Sequence, residues 1–342
     1  MKLQQLRYLV AIVDSGMNIT AASQALFTSQ PGISKQVKML EDELSLHLFV
    51  RKGKSLEGLT DAGREVVTRA RKILNEADNI RAMSRDLAGQ LHGELVVATT
   101  HTQARYVLPD MLEGFQRKYP GITIKLHQGT SDQIARQVQA QDADFAVASG
   151  QSELFQELVT LPIYHWERTI LVPPDHALTR LDKVTLADLA AYPIISYTHS
   201  FDEGSDQERA FKKADIRPNV VFSAEDPDVI KNYVRKGMGI GIVACMAYDR
   251  VRDADLVALD GTRLFPSCTT WIGFRKDRFL REYMYAFLEL MVPGMERSRI
   301  DEVIANPQAK PDAVHGKSLA SLNHHPNIGN QFSTCCNGTF NL

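Results

Sequence analysis

Apolar positions in the first sixty residues recur at the three-and-four spacing of helices. Leu3, Leu6, Leu9, Val10 and Val13 mark one face of a first helix, which Ser15-Gly16 interrupts. NITAASQALF predicts a second helix from about Asn18, with Ile19, Ala22, Ala25 and Leu26 inward and the small Ala21, Ala22 and Ser23 letting another helix cross closely. After a break at Phe27-Thr28, SQPGISKQVKMLEDEL opens a third helix. Thr28 or Ser29 is its cap, Pro31 sits in the first turn where its missing N–H costs little, and Ile33, Val37, Leu40 and Leu44 form the buried stripe. Two short β-like runs in LFVRKGKSLEGLT predict a hairpin around Arg51, Lys52, Gly53 and Lys54. From Asp61 to about Leu91 no proline intervenes, so a long helix capped by Thr60 follows. Its Val66, Ala70, Ile73, Ala77, Ile80, Ser84, Leu87 and Leu91 keep the a/d rhythm of a helix pair. The stripe serves a dimer seam or packs on its own domain, and Ala70, Ala77 and Ser84 make it weaker than a leucine zipper.

At Gly93 the texture changes. LVVAT, TIKLHQ and FAVAS, then TILVPP, IISYT, VVFSA and IGIVA, are strand-length apolar runs separated by helical stretches, and TTWIGFR returns before a late helix from about Phe279. The alternation predicts parallel strands covered by helices, arranged as two α/β lobes with a cleft between them. The expected divisions are 1–60, 61–91, 92–306 and a tail 307–342. Within 92–306 the lobes are 92–162 with 269–306, and 163–268.

Composition refines this only slightly. At 342 residues, with 44% hydrophobic and 23% charged residues, the chain can bury its cores without staples. A net charge of -2 leaves room for a local basic face. No apolar run reaches about 20 residues, so neither a membrane span nor a signal peptide is expected. The four cysteines, Cys245, Cys268, Cys335 and Cys336, show no repeated CxxC spacing and suit a reducing cytoplasm.

The third helix leaves Gln30, Ser34, Lys35 and Lys38 on a polar face near its start. A helix-turn-helix puts that part of its second helix into the major groove, where amides, hydroxyls and ammonium groups meet base edges and phosphates. The basic hairpin after it is suited to the phosphate backbone. In this order the residues AASQALFTSQPGISKQVKMLEDELSLHLFVRKGKSLEGLTDAG resemble the DNA-binding signature of LysR-type transcriptional regulators. The resemblance implies a winged helix-turn-helix, a long linker helix and a two-lobed, periplasmic-binding-protein-like effector domain, together an α+β multidomain chain. It implies that Thr28, Ser29, Gln30, Pro31, Ser34, Lys35 and Lys38 approach double-stranded promoter DNA, with Arg51, Lys52 and Lys54 of the wing on phosphates. It also implies homodimers, often paired into homotetramers, and makes RNA polymerase a further candidate partner.

Ligands in α/β sheets settle at the carboxyl ends of strands. LVVATTHTQARYVLP places Thr100, Thr102 and Gln103 between strand and helix, where they hold an anion or, for Thr102, only cap the helix. TTHTQARY, with HQGT, ADFAVAS, DVIKNYV and GMGIGIVA, resembles the CysB-type regulators of sulfur assimilation and cysteine biosynthesis, from residue 1 to about Pro293. By that resemblance the effector is an acetylated serine, with sulfate or thiosulfate competing, and Thr100, Thr102, Gln103, Ser149 and Trp166 match cleft positions. Ser149 replaces a more usual threonine. SFDEGS departs from the subgroup's GFTGRS-like sequence, placing Asp202 at a hydroxyl position and Gly204 at a nearby basic one. A carboxylate there repels a divalent anion unless it points to solvent or meets an ammonium group on the ligand. Trp166 is a pocket wall or core.

Gly237, Gly239 and Gly241 follow a helix and enter a strand, so they form a tight turn, not a dinucleotide fingerprint. No GxSxG, HExxH or P-loop is present, the histidines are scattered, and Asp142, Asp144, Asp226 and Asp228 read as caps. Neither catalysis, a cofactor nor a metal is expected. The alternative function is a two-lobed binding module or enzyme whose N-terminal helices serve protein contact. The tail is rich in Asn, Ser, Gly and Pro and is expected to be disordered, and its His324, His325, Cys335 and Cys336 follow no standard zinc spacing.

Overall fold

Local signals at the start of the chain set the ends of its helices. Helix α1 (Leu3–Asp14) stops at Ser15, and Gly16 and Met17 turn the chain with φ of 63° and 64°. Helix α2 (Ile19–Ala25) is capped by Asn18, whose side chain accepts from Ala21 N at 3.0 Å. Helix α3 (Gln30–Leu44) is capped by Ser29, which accepts from Gly32 N at 3.2 Å. The computed structural model describes residues 1–306 except 54, 151–154, 156 and 293. Lys54, the expected disordered tail and its His and Cys residues lie outside the described residues.

The chain divides into two units. The first, Met1–Gln90 with Asp277–Arg281, buries Leu6, Leu9, Ile12, Ala22, Ile33, Val37 and Leu40 against Leu48 and Phe49 of the wing. Each fully buried aliphatic side chain contributes about 2 kcal/mol. Ala25 is exposed, contrary to the inward position expected from spacing, because α2 is only seven residues long and Ala22 and Ser23 already fill its close approach. Strands β1 (Phe49–Lys52) and β2 (Ser55–Leu59) pair antiparallel as the wing. Helix α4 (Asp61–Leu87) starts on Thr60, which accepts from Gly63 N at 2.9 Å. It ends four residues before Leu91, where Gly89 adopts a φ of 65°. Ala70 and Val66 join the first unit's core, whereas Ile73, Ile80 and Leu87 are exposed.

The second unit contains two five-stranded sheets. One has the order β4-β3-β5-β12-β6, from β3 (Gly93–Thr99), β4 (Ile122–Gln128), β5 (Phe145–Ser149), β6 (Val159–Trp166) and β12 (Cys268–Phe274). The other has the order β11-β7-β10-β8-β9, from β7 (Arg168–Val172), β8 (Pro193–Tyr197), β9 (Asn219–Ala224), β10 (Ile240–Ala244) and β11 (Val257–Asp260). The sheets are mixed and not all parallel: β12 runs antiparallel to β5 and β6, and β7 antiparallel to β10 and β11. The chain leaves the first lobe after β6 and returns to it as β12, which pairs antiparallel with both β5 and β6. Pairing of Cys268 with Trp166 keeps β6 in the first sheet to its end, so the chain changes lobes at Glu167, later than 162/163, and Trp166 is the last residue of the strand. Helices α5 (His101–Tyr106), α6 (Leu108–Lys118) and α7 (Ser131–Gln139) belong to the first lobe, and α8 (Leu186–Ala190), α9 (Asp206–Lys213) and α10 (Pro227–Arg235) to the second. The turn after α10 holds Gly237 at a φ of 73° before β10 begins, in agreement with a tight turn.

Candidate functional site

Two groups of polar side chains stand out, one in each unit. In the first unit, Ser29, Gln30, Pro31, Ser34, Lys35 and Lys38 are all exposed along the start of α3, while Thr28 is half-buried. Burial of Ile33, Val37 and Leu40 on the opposite face fixes this orientation. Phe27 is almost fully exposed in the preceding turn at a φ of 50°. In the wing, Lys52 pairs with Glu57 at 3.4 Å, and Arg51 Nη2 donates to Glu41 Oε2 at 2.8 Å. Glu41 is only 7% exposed, and its other oxygen accepts from Leu48 N at 2.8 Å and Phe49 N at 3.4 Å. One carboxylate of α3 therefore holds the base of the wing and orients its arginine, Arg51. Sequence reading missed it, since a glutamate on a helix gives no sign of folding back onto a hairpin.

In the second unit, Ser149, Thr270 and Tyr164 lie in one row across β5, β12 and β6, because Thr270 is in register with both of the others. Residues in register share a face of the sheet. Ser149 Oγ and Thr270 Oγ1 are 2.8 Å apart. Over this row lies Gln103, 1% exposed, whose Nε2 donates to Ser149 Oγ at 3.3 Å and Thr270 Oγ1 at 3.4 Å. The Tyr164 hydroxyl donates to Gln103 Oε1 and thereby fixes which end of the amide faces the two hydroxyls. Trp166 Nε1 donates to Ser149 Oγ at 3.0 Å, and Arg168 stands over the Trp166 ring at 5.6 Å while pairing with Asp206 at 3.5 Å. One residue before Gln103, Thr102 Oγ1 donates to Tyr197 OH at 3.4 Å, and that oxygen also accepts from Ala244 N at 3.1 Å. Burial pushes the Tyr197 phenol up to about 12, so it stays neutral.

The structure thus brings together Gln103, Ser149 and Trp166, with Thr102 beside them on the same short helix. Thr100 is the half-buried residue before α5, and its side chain makes no capping bond. Asp202 does not join the cluster: its carboxylate is 64% exposed and meets His199 Nδ1 at 2.7 Å on the loop after β8. Tyr164, Thr270, Arg168 and Tyr197 were not singled out from sequence. Asp226 caps α10, as expected, by accepting from Asp228 N at 2.8 Å, but Asp228 itself binds Tyr106 and Lys231. Asp144 likewise accepts from Val96 N at 2.8 Å, within a sheet and not at a helix start. Among the described residues no group of three His, Cys, Asp or Glu could hold a metal, and no helix is long and apolar enough to cross a membrane.

Residues 3–64 match the family described as "Bacterial regulatory helix-turn-helix protein, lysR family", and residues 88–296 match "LysR substrate binding domain". The HTH-type transcriptional regulator CysB of Haemophilus influenzae is 45% identical over 302 residues, spanning 88% of this chain and 93% of its own length. The HTH-type transcriptional regulator SsuR of Burkholderia cenocepacia is 44% identical over 300 residues, spanning 88% and 97%. A solved structure, the cofactor-binding domain of the Cbl transcriptional regulator, is 36% identical with a TM-score of 0.60, covering 63% of this chain and 94% of that one. These relatives are transcriptional regulators and not enzymes, which removes the reading of the N-terminal helices as a protein-contact module on an enzyme or binding protein. The chain belongs to the LysR family of DNA-binding transcriptional regulators, in which CysB, SsuR and Cbl are its relatives.

Proposed function

We propose that this regulator controls genes of sulfur assimilation and cysteine biosynthesis, and that an acetylserine-like effector, with sulfate or thiosulfate as competing anions, binds at Thr100, Thr102, Gln103, Ser149 and Trp166. The supporting observation is the Gln103 cluster: an amide, two hydroxyls and an indole N–H converge within about one hydrogen-bond length, on groups that donate without carrying charge. Such a set binds a small oxyanion or carboxylate by hydrogen bonds and rejects ligands without acceptors there, because the buried donors are then left unpaired. Asp202 is exposed, paired with His199 and outside the Gln103 cluster, which weakens but does not remove its repulsion of a bound anion. Its charge still disfavours a divalent anion relative to an effector bearing an ammonium group.

On the DNA side, Thr28, Ser29, Gln30, Pro31, Ser34, Lys35 and Lys38 read the major groove, and Arg51, Lys52 and Lys54 grip phosphates. The exposed Ile73, Ile80 and Leu87 of α4 form part of a dimer seam, and pairs of dimers form a tetramer. Effector binding shifts the population of lobe arrangements and so changes the spacing of the DNA-binding heads. Footprinting on sulfur-gene promoters with and without acetylserine tests both halves: no protected region ends the DNA reading, and an unaltered footprint ends the effector reading. Calorimetric titration with sulfate tests Asp202, whose role falls if wild type and Asp202→Thr bind equally.

A further inference from the structure

Lys231 of α10 is 3% exposed and still charged. Its Nζ donates to Asp228 Oδ1 at 2.8 Å, Asp253 Oδ2 at 2.9 Å and Ala247 O at 2.9 Å, all in the second lobe. Its fourth partner, at 3.0 Å, is the hydroxyl of Tyr106, which belongs to α5 in the first lobe. That hydroxyl donates in turn to Asp228 Oδ1 at 2.6 Å, and the neighbouring Arg105 Nε pairs with Asp228 Oδ2. Arg235 closes the other side by bonding Asp253 Oδ1 at 2.7 Å and Asp255 Oδ2 at 2.7 Å. Buried charges are tolerated only when paired and hydrogen-bonded; the second lobe alone supplies three acceptors for Lys231, and the first lobe adds Tyr106 and Arg105 as further partners of Asp228. A cavity of ≈ 580 Å³, lined in part by Arg105, Tyr106, Lys231 and Arg235, lies beside the cluster.

Helix α5 has six residues. Gln103 and Tyr106 on it are separated by a rise of about 4.5 Å. Thr102 and Gln103 sit in the effector cluster, and Tyr106 sits in the charged cluster. Both ends touch the second lobe, Thr102 through Tyr197 and Tyr106 through Asp228 and Lys231. A short helix held at both ends cannot tilt at one without disturbing the other.

We infer that Tyr106 is a positioning residue: with Asp228 and Lys231 it latches α5 to the second lobe and thereby sets the population of the lobe arrangement in which the Gln103 cluster receives its effector. Its link to effector affinity rests on the function proposed above, whereas the latch does not. Tyr106→Phe keeps the ring, 5.3 Å from Lys231 Nζ, and removes only the hydroxyl, while Lys231 retains its three acceptors in the second lobe.

The test uses the full chain. Hydrogen exchange of peptides spanning 101–107 reads the latch, with peptides spanning 240–244 as internal reference, and calorimetric titration with O-acetylserine and with sodium sulfate reads affinity. In Tyr106→Phe we expect α5 to exchange on the order of tenfold faster, the reference to stay unchanged, and affinity for the bound probe to fall by a similar factor. Exchange in α5 within about twofold of wild type overturns the latch. Faster exchange with unchanged affinity overturns its control of the cleft. If wild type binds neither probe, the effector assignment fails, while the exchange result still decides the latch. Asp228→Asn, which keeps the shape and removes the charge, replaces Tyr106→Phe should that variant not fold.

Discussion

Replacing Glu41 separates the stability and the aim of the wing. In Glu41→Ala the buried N–H of Leu48, bonded at 2.8 Å, loses its acceptor, and that of Phe49, at 3.4 Å, loses a weaker one. An orphaned buried donor costs about 1–3 kcal/mol, and the longer bond counts for less. The ion pair with Arg51, whose side chain is 48% exposed, adds about 0.5 kcal/mol after screening. The sum is about 2–4 kcal/mol, enough to lower the melting of a unit of this size by about 10 °C or more. Glu41→Gln keeps an oxygen for Leu48 but turns an amide N–H toward Arg51, so it costs about 1–2 kcal/mol and frees the arginine. Scanning calorimetry of the full chain reads the first effect and gel shift on a bound promoter fragment the second. Although Glu41→Gln removes a negative charge from the face proposed to meet DNA, we expect binding to weaken about threefold to tenfold, because an untethered Arg51 loses conformational freedom on docking. Binding that tightens would show that net charge and not the aim of Arg51 decides affinity. A melting point unmoved in Glu41→Ala would refute the stability argument.

Gly63→Ala should be among the most destabilising substitutions in the first unit, since its Cβ would stand 2.0 Å from the backbone oxygen of Leu48. A loss of about 3 kcal/mol or more is expected in a denaturant melt, and a change below about 1 kcal/mol would contradict the close approach. Gln103→Ala strips the buried Tyr164 hydroxyl of its acceptor, so stability falls by about 2–3 kcal/mol and sulfate heats vanish from titration. An unchanged melting curve would dissolve the cluster as drawn. On the acid side, hydrogen bonds from Arg235 hold Asp255 below the ordinary 3.8, and for Asp228 burial acts upward but bonds from Lys231 and Tyr106 prevail and hold it lower as well. Their stabilisation is therefore full above pH 3.8 and lost as pH falls through the depressed values. Burial acts to lower Lys231, but hydrogen bonds to Asp228 and Asp253 prevail and hold it above 10.5, so its contribution is full below pH 10.5 and is lost as pH rises from there through its raised value. Melting temperature measured against pH should fall at both ends, and Tyr106→Phe should narrow the plateau.

What could be read from sequence was whatever neighbours in the chain decide. The caps Asn18, Ser29 and Thr60 act within three residues, and the buried stripe of α3 is a local period, so both were legible. Strand β6 was not. It is buried on both faces and carries Pro162 opposite Trp271, where the register with β12 slips, so it shows neither alternation nor an unbroken apolar run. The resemblance pointed to Gln103 and Ser149, but their partner Thr270 lies 121 positions beyond Ser149, and only the antiparallel return of β12 brings it opposite. Asp228 read as a cap because Asp226 and Asp228 share one short acidic run. The structure divides the work, with Asp226 on the helix N–H groups and Asp228 on the other lobe.

The polar groups of the proposed effector cluster are bonded to one another, and this constrains how a ligand bound there acts. Gln103, Ser149, Thr270 and Trp166 exchange several internal hydrogen bonds, most of them at 3.0–3.4 Å and so longer than the best. A ligand oxygen offering shorter bonds gains only the difference between the new set and the old, which limits affinity to what geometry and charge can add. The same arrangement sharpens selection, because a ligand that displaces these bonds without replacing each one leaves a buried donor unpaired. Since Thr102 on the same helix turn bridges to Tyr197, a ligand that reorders the cluster alters the contact holding the second lobe. Signal size then depends less on how tightly the ligand binds than on how differently it binds the two lobe arrangements. A tight ligand with equal affinity for both would occupy the site and leave promoter binding unchanged.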